Sequence, residues 1–275
     1  MTGNRGFTGT VLALGLAYLI APLVFVVVNS FNDSSYGGWP PPGWSLRWYH
    51  RLADQAGFGH AALLSLGIAA VAAALAVAAG TAAAVSLTRF RYPGRRLIDA
   101  FLAAPLIMPK AALGLGAFIL FLQAGFYGTG TALVVLHWVL VLPFAINIVG
   151  GALTRVPLVY EQAARDLGAG PVRAFVSATL PQLRRSLVAA YVLSFMISFD
   201  EVDTTVFVVS PEQATLPVSM YQYLQKYQDP TLAALSTLLI GATFAVVAVV
   251  MATAGASALS GVQQAGRARR KERSR

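Results

Sequence analysis

With 275 residues, 57% hydrophobic and 11% charged, and a mean hydropathy of +0.66, the chain is too apolar for a water-soluble domain and reads as an integral membrane protein. Its formal net charge of +9 does not mark a nucleic-acid binder, because the basic residues alternate with apolar runs instead of gathering on one surface with aromatic neighbours. The absence of cysteine excludes disulfides, thiolate metal sites and cysteine nucleophiles.

Taken in order, Arg5 precedes an apolar run over 11–28, long enough to cross a bilayer at about 1.5 Å per residue. The run exceeds a signal-peptide core and no small-x-small site clearly follows it, so a retained first span is predicted. Residues 29–59 are polar and turn-rich, with Gly37-Gly38, Pro40-Pro41-Pro42 and the cluster Trp39, Trp44, Trp48 and Tyr49. Tryptophan and tyrosine favour the membrane interface, which makes this an external loop lying partly on the headgroups.

The second span, 61–87, is crowded with alanine and carries Gly67 and Gly80; small residues let backbones approach, so it is expected among neighbouring helices and not against lipid. A basic turn at 88–96, TRFRYPGRR, leads to a third span at 97–122, interrupted by Pro105 and Pro109. After a glycine-bounded turn at 125–130 comes the fourth span, 131–153. The fifth is placed at 186–209, a polar external stretch at 210–230 and the sixth span at 232–254. An all-α transmembrane domain is thus predicted over 1–265, with a basic, disordered cytoplasmic tail at 266–275 that acts near anionic headgroups and not on nucleic acid.

Orientation follows from lysine and arginine. With the N-terminus inside, Arg5, four arginines of the 88–96 turn, five in and around residues 155–185 and six basic residues of the tail face the cytoplasm. Only Arg47, Arg51 and Lys226 face outward, and Lys110 lies within a span. The positive-inside rule predicts six spans with both termini cytoplasmic.

Between the fourth and fifth spans lies a polar island, YEQAARDLGAGPVRAFVSATLP, over residues 160–181. Pro157 suits a helix start, Glu161 and Arg165 form an i,i+4 pair, and Tyr160, Ala163, Ala164 and Leu167 fall on one stripe. Gly168 and Gly170 allow the positive φ of a tight stop, and Pro171 starts a second helix running to Leu180. The pattern is a helix-turn-helix elbow.

The elbow resembles the signature loop of permease subunits in type I, binding-protein-dependent ABC importers: Glu-Ala-Ala, three residues, Gly, nine residues, Ile, one residue, Leu-Pro. Gln162-Ala163-Ala164 stands for the triplet, Gly168 for the glycine and Leu180-Pro181 for the close; Gln162 replaces the family's Glu, with Glu161 beside it, and Ala178 replaces the Ile. The resemblance implies that Glu161, Gln162, Ala163, Ala164, Asp166, Leu167 and Gly168 form a coupling loop docking on a separate ATPase subunit. It further implies a second permease subunit, making a heterodimer, two ATPase subunits and an external solute-binding protein around this chain in a bacterial inner membrane. The chain has no G-x-x-x-x-G-K-[ST] phosphate loop, so no cofactor is expected on it; ATP and Mg belong to the partner ATPase, and the chain itself is not expected to be an enzyme.

Asp200, Glu201 and Asp203 fall inside the predicted fifth span, where a carboxylate costs at least ~2.5 kcal/mol on insertion scales. They are expected to face a watery cavity, a partner or cations, with Asp200 and Asp203 sharing one helix face and Glu201 about 100° away. The readings that stay open are a cation-attracting patch on the translocation path, a structural cluster paired with basic groups, or a cluster lying closer to the outer interface. Lys110 after Met108-Pro109 is a candidate partner for Glu201 or Asp203, or a cavity group favouring an anionic function on the solute. His50, His60 and His137 show no metal-ligand spacing, and His137 reads as a packed, hydrogen-bonded helix residue.

The phrases PPGWSLRWY, SFDE, TLPVSMYQYL and DPTLAALSTLLI look like those of spermidine/putrescine importer permeases. That resemblance implies transport of a polyamine or similar small cation, with aminoethylphosphonate or another small solute as the alternative. From a different class, a secondary transporter could use Asp200, Glu201 and Lys110 as a proton or ion relay, although no inverted repeat of the apolar pattern is found. An intramembrane enzyme lacks a nucleophile or metal set.

Overall fold

The computed structural model of the chain describes residues 5–36, 38–245 and 248. Its helices run α1 (Arg5–Ser30), α2 (Arg47–Asp54), α3 (Ala56–Arg89), α4 (Arg95–Ile107), α5 (Lys110–Gln123), α6 (Gly130–Leu153), α7 (Val159–Asp166), α8 (Pro171–Ala174), α9 (Leu180–Phe199), α10 (Thr205–Val208), α11 (Leu216–Lys226) and α12 (Thr231–Ala245). A π-helical turn, Phe175–Thr179, joins α8 to α9. Two units divide the chain, one of them Gly57–Tyr223 and the other holding the described parts of Met1–Ala56 and Leu224–Arg275.

In the Gly57–Tyr223 unit the core is built on α6. Leu133, Leu136, Leu140, Val141, Ala145, Val149 and Leu153 recur at three- and four-residue intervals and are buried, as a helix sunk among others requires. The alanines of α3 (Ala69, Ala72, Ala73, Ala76) are fully buried, and a Cβ on Gly80 would lie 2.9 Å from the Cβ of Ala145. Close α3–α6 approach therefore depends on Gly80, in line with the small-residue expectation; Gly67 faces open space and plays no such part.

Two of the predicted spans are not continuous. α4 and α5 meet at a bend of 106°. Met108 is extended (φ −72, ψ 142), the conformation favoured before proline, and Pro109 has no N–H to continue the ladder. Pro105, by contrast, is absorbed within α4. The fifth predicted span fails as one helix too: α9 ends at Phe199, the chain leaves the helix over 200–203, and α10 resumes at Thr205. Asp200 and Asp203 therefore do not share a helix face.

The elbow's second helix also departs from expectation. Instead of stopping at Leu180, it passes through the π turn into α9, so one helical path runs from Pro171 to Phe199. Widening to the i→i+5 pattern, with Leu180 N–H bonding the Phe175 carbonyl, comes just ahead of Pro181, whose ring crowds the preceding turn and which has no N–H to give. Of the two glycines, Gly168 alone adopts positive φ (+88); Gly170 is extended.

Among the described residues three helices are long and apolar enough to cross a membrane: Gly9–Ser30, Gly57–Arg89 and Gly130–Leu153. Counting the α4–α5 pair as one broken span makes four. The sixth predicted span is described only as far as α12, and the rest of it and the basic tail at 266–275 lie outside the described residues. The polar stretch at 210–230 is not a plain loop, since it contains α11, whose Leu216 N–H bonds Ser65 Oγ at 2.7 Å.

In the other unit α1 is apolar and exposed over residues 9–25, and becomes covered toward Ser30. The loop after it folds on itself: Asn32 bridges Trp44, Arg47 lies 3.6 Å from Asp33, and Trp48 Nε1 donates to the Asn32 carbonyl. Trp39 and Trp44 are exposed as interfacial residues would be, whereas Trp48 is a buried anchor of the loop.

Candidate functional site: two interrupted helices

The elbow comprises α7, a glycine stop and α8. Leu167 caps α7, Ala169 N–H bonds the Ala164 carbonyl and Gly168 N–H bonds the Arg165 carbonyl, the paired bonds of a Schellman stop that requires positive φ at Gly168. Tyr160, Ala163 and Leu167 do form a stripe, but it points outward: Leu167 is 90% exposed, and Leu158, Val159 and Val172 are exposed beside it. Gln162, Arg165 and Asp166 share that open surface. An apolar strip with a polar margin, left uncovered by its own chain, has the make-up of a protein-docking surface.

Glu161 turns the other way. It is buried, accepts a hydrogen bond from Thr179 Oγ1 and lies 3.6 Å from the Arg89 guanidinium. Its cation is Arg89 of α3, not the predicted Arg165. Arg89 also donates to the Val156 carbonyl at 3.3 Å, so α3, the approach to α7, α7 itself and the π turn converge on one carboxylate. Spacing along a helix could propose Arg165; Arg89 and Thr179, 72 residues away and 18 residues away, carry no local signal.

At its far end the α8–α9 path reaches the second interruption, where four of the predicted residues fall into place. Lys110 opens α5 at the Pro109 bend, and its Nζ sits 3.0 Å from Glu201 and 3.3 Å from Asp203. Glu201 is buried and caps the restart of the helix, accepting from Thr204 N–H at 3.0 Å and Thr204 Oγ1 at 3.2 Å through its other oxygen. Lys110 is about half exposed (side chain 52%), Asp203 more so (66%), and Asp200 is exposed as well. Glu201 is thus a committed structural partner, while Asp200 and Asp203 keep open faces.

Two further residues hold this break. His137, buried on α6, bonds Ser198 Oγ through Nδ1 (2.7 Å) and Thr205 Oγ1 through Nε2 (3.0 Å), one partner on each side of the gap. The packed, hydrogen-bonded reading of His137 is the observed one. Gly114, one turn after Lys110, lets α5 touch α10: a Cβ there would lie 2.7 Å from Phe207 Cδ2 and 2.9 Å from the Thr204 carbonyl. Neither residue's partner is marked in the sequence.

Among the described residues these features define a class: a helical membrane protein with an exposed elbow joined by a continuous helical path to a charged break between apolar helices. The comparisons narrow it. Residues 74–261 match the family described as binding-protein-dependent transport system inner membrane component, and the chain belongs to that family. It is 34% identical over 240 residues to the putrescine transport system permease protein PotI of Escherichia coli K12, covering 84% of this chain and 85% of that one. Over 225 residues it is 31% identical to the spermidine/putrescine transport system permease protein PotC of the same strain, covering 82% and 84%. A solved structure of a bacterial ABC transporter involved in import of the acidic polysaccharide alginate superposes with a TM-score of 0.69, covering 89% of this chain and 94% of that chain. At 14% identity this last likeness concerns the fold.

Proposed function

We propose that this chain is a permease subunit of an importer for putrescine, spermidine or a similar small polyamine, resident in a bacterial inner membrane with six spans and both termini cytoplasmic. The observation that carries the cationic substrate is the charge balance at the helix break. Lys110 is paired with Glu201 and Asp203, and Asp200 beside Glu201 in the chain brings the carboxylates of the break to three against one lysine; the two aspartates are exposed. The similarity to PotI and PotC supports the same reading.

In this account the exposed strip around Tyr160, Ala163 and Leu167, with Gln162, Ala164, Asp166 and the Gly168 stop, docks on an ATPase subunit. A second permease completes the pore, a second ATPase subunit serves that permease, and an external solute-binding protein delivers the polyamine. ATP binding closes the ATPases, the elbow moves, and the α8–α9 helix, about 30 Å from Leu180 to Phe199 at 1.5 Å per residue, carries the motion to the Lys110–Glu201 break. The contribution of this chain is the difference in stability between two conformations.

A half-exposed Lys110 favours a second reading in which the solute carries an anionic group, as aminoethylphosphonate does. ATPase activity of the complex in lipid, with its binding protein, separates the two. Stimulation by putrescine or spermidine, weakened when Asp200→Asn and Asp203→Asn are combined, is the expected result. Stimulation by 2-aminoethylphosphonate alone would overturn the polyamine assignment.

A further inference from the structure

We infer that Thr179 is a positioning residue for energy coupling: its hydroxyl, bonded to the buried carboxylate of Glu161, ties the docking helix α7 to the helical path α8–α9. The inference rests on α7 being the ATPase-docking helix and goes beyond that reading by naming the contact through which its motion leaves the elbow.

Three observations carry it. First, the face of α7 that is open to a partner and the face that meets the rest of the chain are different: Gln162, Ala163, Arg165, Asp166 and Leu167 are exposed, and Glu161 alone in that helix is buried. A push received on the outer face leaves α7 through its inner one. Second, the inner face is polar and specific. Thr179 is fully buried, its hydroxyl donates to Glu161, and the Arg89 guanidinium lies 3.6 Å from the same carboxylate oxygen. A charge-assisted bond of this kind has a direction and a preferred length, so it transmits displacement better than a sliding apolar contact. Third, Thr179 is the last residue of the π turn, next to Leu180 and Pro181, where α9 begins. Such turns are the adjustable points of a helix. A pull on Thr179 therefore acts where the helix can change its register, and the rest of α9 follows as one body toward Asp200–Asp203.

The alternative is that Thr179 only helps the elbow fold. The two differ in what Thr179→Val does, since valine keeps the shape and removes the donor. Coupling requires that the Thr179→Val permease still co-purifies with its ATPase subunits and keeps the basal ATPase rate, measured well below an unfolding transition that the lost bond to the buried Glu161 carboxylate lowers. Solute uptake per ATP hydrolysed then falls about tenfold, the order expected for losing one hydrogen bond to a charged group. Thr179→Ser, which restores the hydroxyl, restores coupling. Uptake per ATP unchanged in Thr179→Val overturns the inference, as does a loss that serine fails to rescue or one matched by a loss of assembled complex. Failure of the underlying reading would look different: Leu167→Asp and Ala163→Glu on the outer face would leave ATPase association intact.

Discussion

The elbow and the α9–α10 break are built from the same parts and behave as opposites. Each interrupts a helix, and each buries one glutamate against a hydroxyl and a cation contributed by a distant helix. At the elbow the cation, Arg89, is nearly enclosed, with 12% of its side chain exposed; at the break Lys110 is 52% exposed and shared with an open aspartate. A closed ion pair holds its geometry because neither charge has water to turn to. At the open one Lys110 can keep Glu201 and trade its exposed partner Asp203 for water or a solute at little cost. Under the proposed function, the contrast fits transmission at the elbow and gating at the break.

The comparison can be broken most forcefully at Lys110. Lys110→Met leaves the Glu201 carboxylate buried with only Thr204 to hold it, a loss of about 3 kcal/mol, the low end for a broken buried pair because Lys110 is half exposed. Thermal unfolding of the purified complex checks this, and Lys110→Met with Glu201→Gln should recover most of it. Gly114→Val comes next: its side chain has to displace Phe207 and the Thr204 backbone, at ~2 kcal/mol, and α5 should part from α10. Reduced stability together with faster labelling of a cysteine at Asp203 would show that parting.

His137→Leu removes the staple across the gap while filling the same space. Two buried hydroxyls lose a partner, worth about 1.5 kcal/mol in the same unfolding measurement. The smallest effect is expected at Gly168→Ala. Space is open there, so the cost is the positive φ alone, roughly 1 kcal/mol, and it should appear as weaker ATPase association with the break undisturbed. A Gly168→Ala complex that binds its ATPase normally would detach the Schellman stop from docking.

Much of the elbow could be read in the sequence because its rules are local: proline at a helix start, a glycine stop and an amphipathic stripe all act within one turn. Which side of that stripe meets the protein was not legible. Tyr160 and Leu167 look like core residues until the rest of the chain is seen to leave them uncovered. At the break, the pairing of Lys110 with Glu201 and Asp203 could be proposed from the improbability of lone charges at membrane depth. The interruption itself escaped, because residues 186–209 form an apolar run of span length and contain no proline or glycine to announce a stop. Its causes are remote: Glu201 reaching Lys110, 91 residues away, and His137 reaching over the gap from α6. The α4–α5 bend shows the converse, since Pro105 and Pro109 are both visible in the sequence but only Pro109 breaks the helix.

The division between a closed elbow and an open break is tested most directly by thiol labelling, for which a chain without native cysteine provides a clean background. Asp203→Cys and Thr179→Cys, the latter keeping a weak donor, would be probed with a membrane-impermeant maleimide in the resting complex and in the complex trapped with ATP and vanadate. The account predicts that Asp203→Cys labels at rates differing several-fold between the two states, whereas Thr179→Cys stays protected in both. Equal rates at Asp203→Cys, or ready labelling of Thr179→Cys in either state, would contradict it.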